Sequence, residues 1–245
     1  MTRGPNSERL ITVFGGSGFV GRHVVRALAQ RGYRVRAAVR RPDLAGHLQP
    51  LGNVGQIAAV QANVRNRGSV ERAIGGAWGV INLVGILAES GRQRFAAVHD
   101  EGARTVAEAA AQAEVEHFSH MSAIGADPES PSVYARTKVA GEEAVKAAVP
   151  KAVIIRPSII FGPEDAFFNR FANMARFSPV IPLVGAKTRF QPVFVGDVAE
   201  AHLTAIEGRA KSGQAYELGG PEVATFRELM EKMLAIIERR RVILP

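Results

Sequence analysis

No cysteine occurs among the 245 residues. That absence excludes disulfides, thiolate-ligated metals and cysteine nucleophiles together, and it agrees with a reducing compartment. Low-complexity tracts and fixed-period repeats are also missing, which removes collagen-like, solenoid and linker readings. No uninterrupted apolar run reaches the roughly 20 residues of a membrane-spanning helix. The opening residues 1–9, MTRGPNSER, lack the apolar centre of a signal peptide, so the expectation is a cytoplasmic protein. The 6 histidines show no metal-ligand spacing, and no metal site is expected.

What is present is the composition of a globular chain. Hydrophobic residues make up 47% and charged residues 22%, enough for the core of one α/β unit. The formal net charge of +8 fits an anionic cofactor, an acidic membrane or partner surface, or nucleic acid. The arginines are spread over many segments without a nucleic-acid-binding motif, so nucleic acid is set aside.

Apolar, β-branched runs alternate with alanine-rich stretches. Residues 10–14, 35–39, 56–60, 80–84, 117–121 and 152–155 read as buried strands, with helices over 19–31, 103–113 and 132–148. Near-continuous apolar strands separated by helices indicate a parallel sheet covered on both faces. The fold class expected is therefore α/β, a doubly wound parallel sheet of Rossmann type occupying residues 1–156. After Arg156-Pro157, aromatics and prolines crowd a segment of weaker periodicity. Residues 157–245 read as a small substrate-side lobe packed on the first domain, with a strand and helix returning over 192–207. Asp197 is placed as the N-cap of a helix over 198–206, and a final helix is expected over 225–241 with Thr225 and Glu228 as a capping box. The apolar stretch near the end then stops abruptly, where more chain is expected.

The segment Phe14-Gly15-Gly16-Ser17-Gly18-Phe19-Val20-Gly21 lies between a predicted strand and a predicted helix. In that context Gly15 permits a tight turn, Gly18 lets backbone approach a pyrophosphate, and Gly21 allows close helix–sheet packing. The helix N-terminus through Ser17, Phe19 and Val20 offers free N–H groups to phosphate. A dinucleotide is thus the expected ligand. At the end of the second strand, where NAD-binding proteins carry an acid, this chain has Arg40-Arg41. Guanidinium groups there would grip a 2′-phosphate, which argues for NADP(H) over NAD(H); Asp43 nearby keeps NAD(H) as the alternative.

Tyr134 and Lys138 stand four apart on one predicted helix, and Ser122 follows the fifth strand. A phenol beside an ammonium can exchange a proton at neutral pH, and a serine hydroxyl can orient a carbonyl oxygen. Taken alone, a Tyr-x-x-x-Lys pair is common and usually just exposed. Its place downstream of the glycine loop makes Ser122, Tyr134 and Lys138 the candidate catalytic set.

These motifs, with Arg156-Pro157-Ser158 and Phe194-Val195-Gly196-Asp197, resemble the extended or atypical short-chain dehydrogenase/reductases over nearly the whole chain. The glycine loop, Ile81-Asn82-Leu83-Val84-Gly85, Val98-His99-Asp100-Glu101-Gly102, His120-Met121-Ser122 and Lys187-Thr188-Arg189-Phe190-Gln191-Pro192 resemble, within that group, the nucleotide-binding accessory subunits of respiratory complex I and their bacterial relatives. The resemblance implies tightly held NADPH, with Asn63 and Val64 at adenine, Leu83, Val84 and Gly85 along the cofactor channel, and Pro157 and Ser158 near nicotinamide. It also puts His99 where active extended members often carry asparagine. Two functions follow. One is a structural or sensing NADP(H) binder docked on a respiratory complex or the inner face of a membrane through its basic surface and C-terminal tail. The other is a working reductase, dehydrogenase or epimerase acting on a hydroxyl or carbonyl group.

Overall fold

The computed structural model describes residues 6–244. Residues 1–5 of the opening segment and the final Pro245 lie outside it. The alternation read from the sequence builds β1 (Leu10–Phe14), α1 (Phe19–Gln30), β2 (Arg34–Val39), β3 (Ile57–Gln61), α2 (Arg67–Ile74) and β4 (Gly79–Asn82). It continues through α3 (Glu101–Gln112), β5 (His117–Met121), α4 (Val133–Ala148) and β6 (Val153–Pro157). A further strand, β11 (Ala215–Leu218), joins the edge beside β6, giving one parallel sheet of order β11-β6-β5-β4-β1-β2-β3. The order reverses at β1, which pairs with β2 on one side and β4 on the other. In open α/β sheets ligands bind outside the strand carboxyl ends at such a switch point.

Both faces of the sheet are covered, which is why its central strands are largely apolar. Ile11 and Val13 of β1 pack with Val24, Val25 and Leu28 of α1 and with Val198 and Leu203 of α6 (Val195–Ile206). Phe14, Val80 and Ile154 face α2, α3 and α4 through Val70, Val106 and Val145. Two polar groups in this core are held by hydrogen bonds: the Thr12 hydroxyl donates to the Ala73 carbonyl at 2.9 Å, and Ser119 Oγ meets His202 Nδ1 at 2.8 Å. No helix among the described residues is long and apolar enough to cross a membrane.

Residues after β6 add short elements: β7 (Ile160–Phe161), α5 (Phe168–Phe177), β8 (Val180–Pro182), β9 (Arg189–Phe190), β10 (Val193–Phe194), β12 (Ala224–Thr225), α7 (Phe226–Ile236) and β13 (Val242–Leu244). A second core gathers Ala175, Ile181, Leu183, Met230 and Met233 with a group of phenylalanines, while α6 and β11 return to the main sheet.

Two local expectations are corrected. Asp197 does not cap α6, because Val193-Phe194 pairs with Ile160-Phe161 and the helix starts directly at Val195 with Phe194 at the N-cap. Asp197 instead lies in the first turn, where its charge faces the positive end of the helix dipole. The last helix ends at Ile236 rather than Arg241. Glu238 turns the chain at φ 53°, and Val242–Leu244 pairs with Val180–Pro182. Arg241 Nε donates to the Ala175 carbonyl at 2.7 Å, a tertiary contact that outweighs helical continuation. The capping box is present, with Thr225 Oγ1 accepting from the Glu228 N–H at 3.2 Å and Glu228 Oε2 accepting from the Thr225 N–H at 2.7 Å.

A π-helical turn over Ala96–Asp100 precedes α3 and places His99 beneath α4. Gly141 makes this approach feasible, since a β-carbon there would lie 2.0 Å from the His99 carbonyl oxygen. Neither backbone can yield without moving α4 as a body. Gly141→Ala is therefore expected to cost at least the roughly 1–3 kcal/mol of an overpacked core, read as a lowered urea midpoint at unchanged slope. A wild-type midpoint would show that the helix pair is looser than this packing requires.

Candidate dinucleotide cleft

At the switch point, β1 runs into the glycine loop. Gly15 sits at φ 79°, a left-handed conformation that disfavours side chains, and its N–H donates to the Ala38 carbonyl at 3.1 Å. The Gly18 N–H closes the turn on the Gly15 carbonyl at 3.0 Å. A β-carbon on Gly21 would lie 2.1 Å from that same carbonyl oxygen, so the third glycine is required by helix–loop packing. Gly18 differs: a β-carbon there would meet only the Gly15 oxygen, at 3.3 Å. The protein scarcely crowds that position, and its open side is the room a pyrophosphate needs. Helix α1 begins at Phe19 with Gly18 at its N-cap, no side-chain cap and no acidic residue in its first turn, which leaves its N-terminal amides to an anion. The loop thus fits a dinucleotide.

The cleft beside the loop has a volume of about 1280 Å³. Gly15, Ser17, Gly18, Phe19, Val20 and Gly21 line it together with Arg40, Asn63 and Val64 from the β2 and β3 ends. Leu83, Val84 and Gly85 follow β4, and Ser122, Tyr134, Lys138, Pro157 and Ser158 line the part next to β5 and β6. The sequence-derived residues therefore converge, except Arg41. Its guanidinium lies on the surface, held by Asp43 at 2.9 and 2.6 Å. Arg40 alone of the pair lines the cleft, with one guanidinium nitrogen donating to Gln93 Oε1 at 2.7 Å.

Sequence reasoning missed Arg65, which joins Arg40 in the lining and donates to the Arg92 carbonyl at 2.8 Å. Its place two residues past Asn63, whose side-chain oxygen accepts from the Arg65 N–H at 3.1 Å, was the available signal. Arg170 was missed as well, and Arg189, though its segment 187–192 carries the family resemblance, was not read as a cleft residue. With Lys138 the cleft has five cationic residues in its lining and no aspartate or glutamate among the described residues.

Lys138 is buried, and its Nζ donates to the Met121 carbonyl at 2.8 Å. Burial pulls its ammonium down to about 8, against an opposing pull from Glu142 one turn along α4. Glu142 is itself buried and held by Arg156 through two hydrogen bonds at 2.8 and 2.7 Å. Burial pushes the Tyr134 phenol above its ordinary value, so it stands protonated at neutral pH and can donate. The Ser122 hydroxyl is buried with no protein partner among the described residues, although it lines the cleft.

His99 stacks on Phe95 at 5.4 Å and meets Tyr134 edge-on at 5.2 Å. Its Nε2 accepts from the Ile86 N–H at 3.0 Å, which makes Nδ1 the protonated nitrogen, facing Thr137 Oγ1 at 3.2 Å. Burial first, then the Lys138 charge, lowers its pKa to about 4. His99 is thus a neutral ring with both nitrogens committed to the protein, and it supports the Tyr134 ring.

Comparison with known proteins agrees with this geometry. The NAD dependent epimerase/dehydratase family model matches residues 11–219. NADH dehydrogenase [ubiquinone] 1 alpha subcomplex subunit 9, mitochondrial, of Arabidopsis thaliana is 37% identical over 92% of this chain and 57% of that protein. The ceramide reductase of Caulobacter vibrioides is 36% identical over 79% of this chain and 60% of its own length. The chain spans about three fifths of the length of these relatives. Among solved structures, MoeE5 in complex with UDP-glucuronic acid and NAD shares the fold at a TM-score of 0.81 and 19% identity, covering 95% of this chain and 84% of that one. The matched span runs from β1 to the residue after β11 and carries the whole glycine-loop half of the cleft: the chain belongs to the NAD dependent epimerase/dehydratase family.

Proposed function

We propose that this protein holds NADP(H) tightly in the cleft and acts as a nucleotide-bound accessory subunit of a respiratory complex. The observation that carries the cofactor preference is the pairing of Arg40 with Arg65 in a lining that holds no carboxylate. An acid there would accept a ribose hydroxyl and repel a 2′-phosphate, whereas guanidinium groups attract it. Lys138 would hold the nicotinamide-side ribose, and Ser122 and Tyr134 would face the ring. The commitment of both His99 nitrogens supports binding over turnover, because no proton path leads from Lys138 through that ring. Relatives named as subunits of NADH dehydrogenase [ubiquinone] support the partner. Docking would use the basic surface and the C-terminal end, at the cytoplasmic face of the membrane.

A second reading, a working reductase, is favoured by the unpartnered Ser122 hydroxyl and the protonated Tyr134. A reduced nicotinamide supplies a hydride to a carbonyl carbon. Ser122 would orient the carbonyl oxygen, and Tyr134 would give it a proton, leaving an alcohol and the oxidised cofactor.

Native mass spectrometry of the purified protein is expected to show a retained NADP-sized ligand, and a clean apoprotein without nucleotide affinity would sink both readings. Arg40→Ala should weaken NADPH by about 10- to 100-fold, the loss of one or two charge-assisted bonds, and NADH far less; equal weakening would refute the phosphate contact. NADPH affinity should be full below pH 8 and decline as pH rises through the Lys138 value of about 8, since the ammonium then loses its proton. Lys138→Met should abolish that decline, and an unchanged profile would remove Lys138 from the cofactor. If the protein oxidises bound NADPH in the presence of a carbonyl compound, Tyr134→Phe should stop the reaction without changing NADPH affinity more than about twofold.

A further inference from the structure

The cleft is larger than the roughly 300–1,000 Å³ of a site for a single small ligand. Beyond the residues assigned to the dinucleotide, its lining continues over Phe167, Phe171, Phe190 and Phe226. These rings pack on one another with centroids 5.4 to 6.4 Å apart, a wall fixed by mutual edge and face contacts. Val223, half exposed, extends it.

The polar groups in this half are few and of one kind. Arg170 and Arg189 line it, and neither has an ion pair among the described residues. Arg189 lies within electrostatic range of Glu228, but that carboxylate is committed to the Thr225 cap. The amide nitrogen of Gln191 is committed as well, donating to the Gly220 carbonyl at 2.6 Å. A sugar ring buried here would find two guanidinium groups and almost nothing to match its other hydroxyls, and each unmatched hydroxyl carries a desolvation cost.

We infer that the aromatic half of the cleft binds an anionic amphiphile, an acyl chain ending in a carboxylate, with the chain on the phenylalanine wall and the head on Arg170 and Arg189. The inference rests on the dinucleotide occupying the glycine-loop half. Apolar lining supplies affinity without direction, and the two arginines fix the orientation of the chain. Ser122 and Tyr134 line the same cleft. An acyl ligand there would be a substrate if it carries a carbonyl within their reach, and a sensed or structural ligand if it does not.

Isothermal titration of the NADPH-loaded protein with decanoate, 1-decanol and UDP-glucose tests this. Decanoate should bind, 1-decanol about tenfold more weakly for want of the charge-assisted contact, and UDP-glucose more weakly than decanoate. The Arg170→Ala/Arg189→Ala double variant should lose about tenfold in decanoate affinity or more, with NADPH affinity kept within about twofold. Val223→Asp puts a carboxylate at an exposed position of the apolar lining, so it should weaken decanoate while leaving NADPH binding and the melting temperature unchanged. Tighter binding of UDP-glucose than of decanoate, or decanoate affinity indifferent to both variants, would overturn the inference. NADPH binding without decanoate binding sinks this inference alone; failure to bind NADPH sinks the reading on which it rests.

Discussion

Lys138 is an ammonium with almost no access to water, and the arrangement of the cleft follows from how its charge is accommodated. The Met121 carbonyl at the end of β5 takes one of its protons, tying α4 to the carboxyl edge of the sheet. Glu142 would be its natural counter-ion, but Glu142 is already matched by Arg156 at two oxygens. Glu217 also reaches Arg156, at 3.6 Å, so the charges around Lys138 nearly balance, and it is burial that has drawn the lysine down to about 8. A buried charge is costly unless fully matched, and the Lys138 ammonium, with the Met121 carbonyl as its hydrogen-bond partner, carries that cost. An anionic dinucleotide would relieve it, which couples cofactor binding to stability of the fold through mass action.

The same charge explains His99. A carboxylate or a protonated imidazole beside Lys138 would change the balance again, whereas a neutral ring does not. The close approach at Gly141 sets the ring under α4, the Ile86 amide fixes its tautomer, and the Tyr134 edge leans on it. An asparagine could also accept from that amide, yet it would offer no aromatic face to Tyr134. The histidine thus trades a polar link for ring-on-ring support of the phenol, consistent with a site organised first around holding its ligand.

The parallel sheet was legible because its strands are buried on both faces and so appear as largely apolar runs; the glycine loop was legible because backbone geometry admits few alternatives there. β11 escaped notice for the converse reason, being a four-residue edge strand with a charged residue, Glu217, in its middle. The end of α7 was missed because the signal that stops it is not local: Arg241 is drawn to a carbonyl 66 residues earlier in the chain. Arg40 and Arg41 look equivalent in sequence, and only the neighbouring Asp43 separates them by taking one into a surface pair. Arg170 carries no motif, Arg65 only its place two residues past Asn63, and Arg189 a segment quoted for its resemblance rather than its charge; what unites them is a shared cavity reached from three distant segments.

That shared cavity gives the charge surplus of the whole chain a local meaning. A net charge of +8 spread evenly would say little beyond solubility and nonspecific attraction. Here many surface arginines are already paired, as Arg31 is with Glu200 and Glu207 and Arg67 with Glu71 and Glu108, and these exposed bridges contribute little individually. The cations of the cleft face a lining without carboxylates, where low-dielectric walls focus their field. Such a field draws polyanions toward the glycine loop and discriminates against cationic or neutral competitors before any specific contact forms. Under the proposed reading, specific contacts would then divide the work, with the α1 amides taking the pyrophosphate and the arginines the groups at either end.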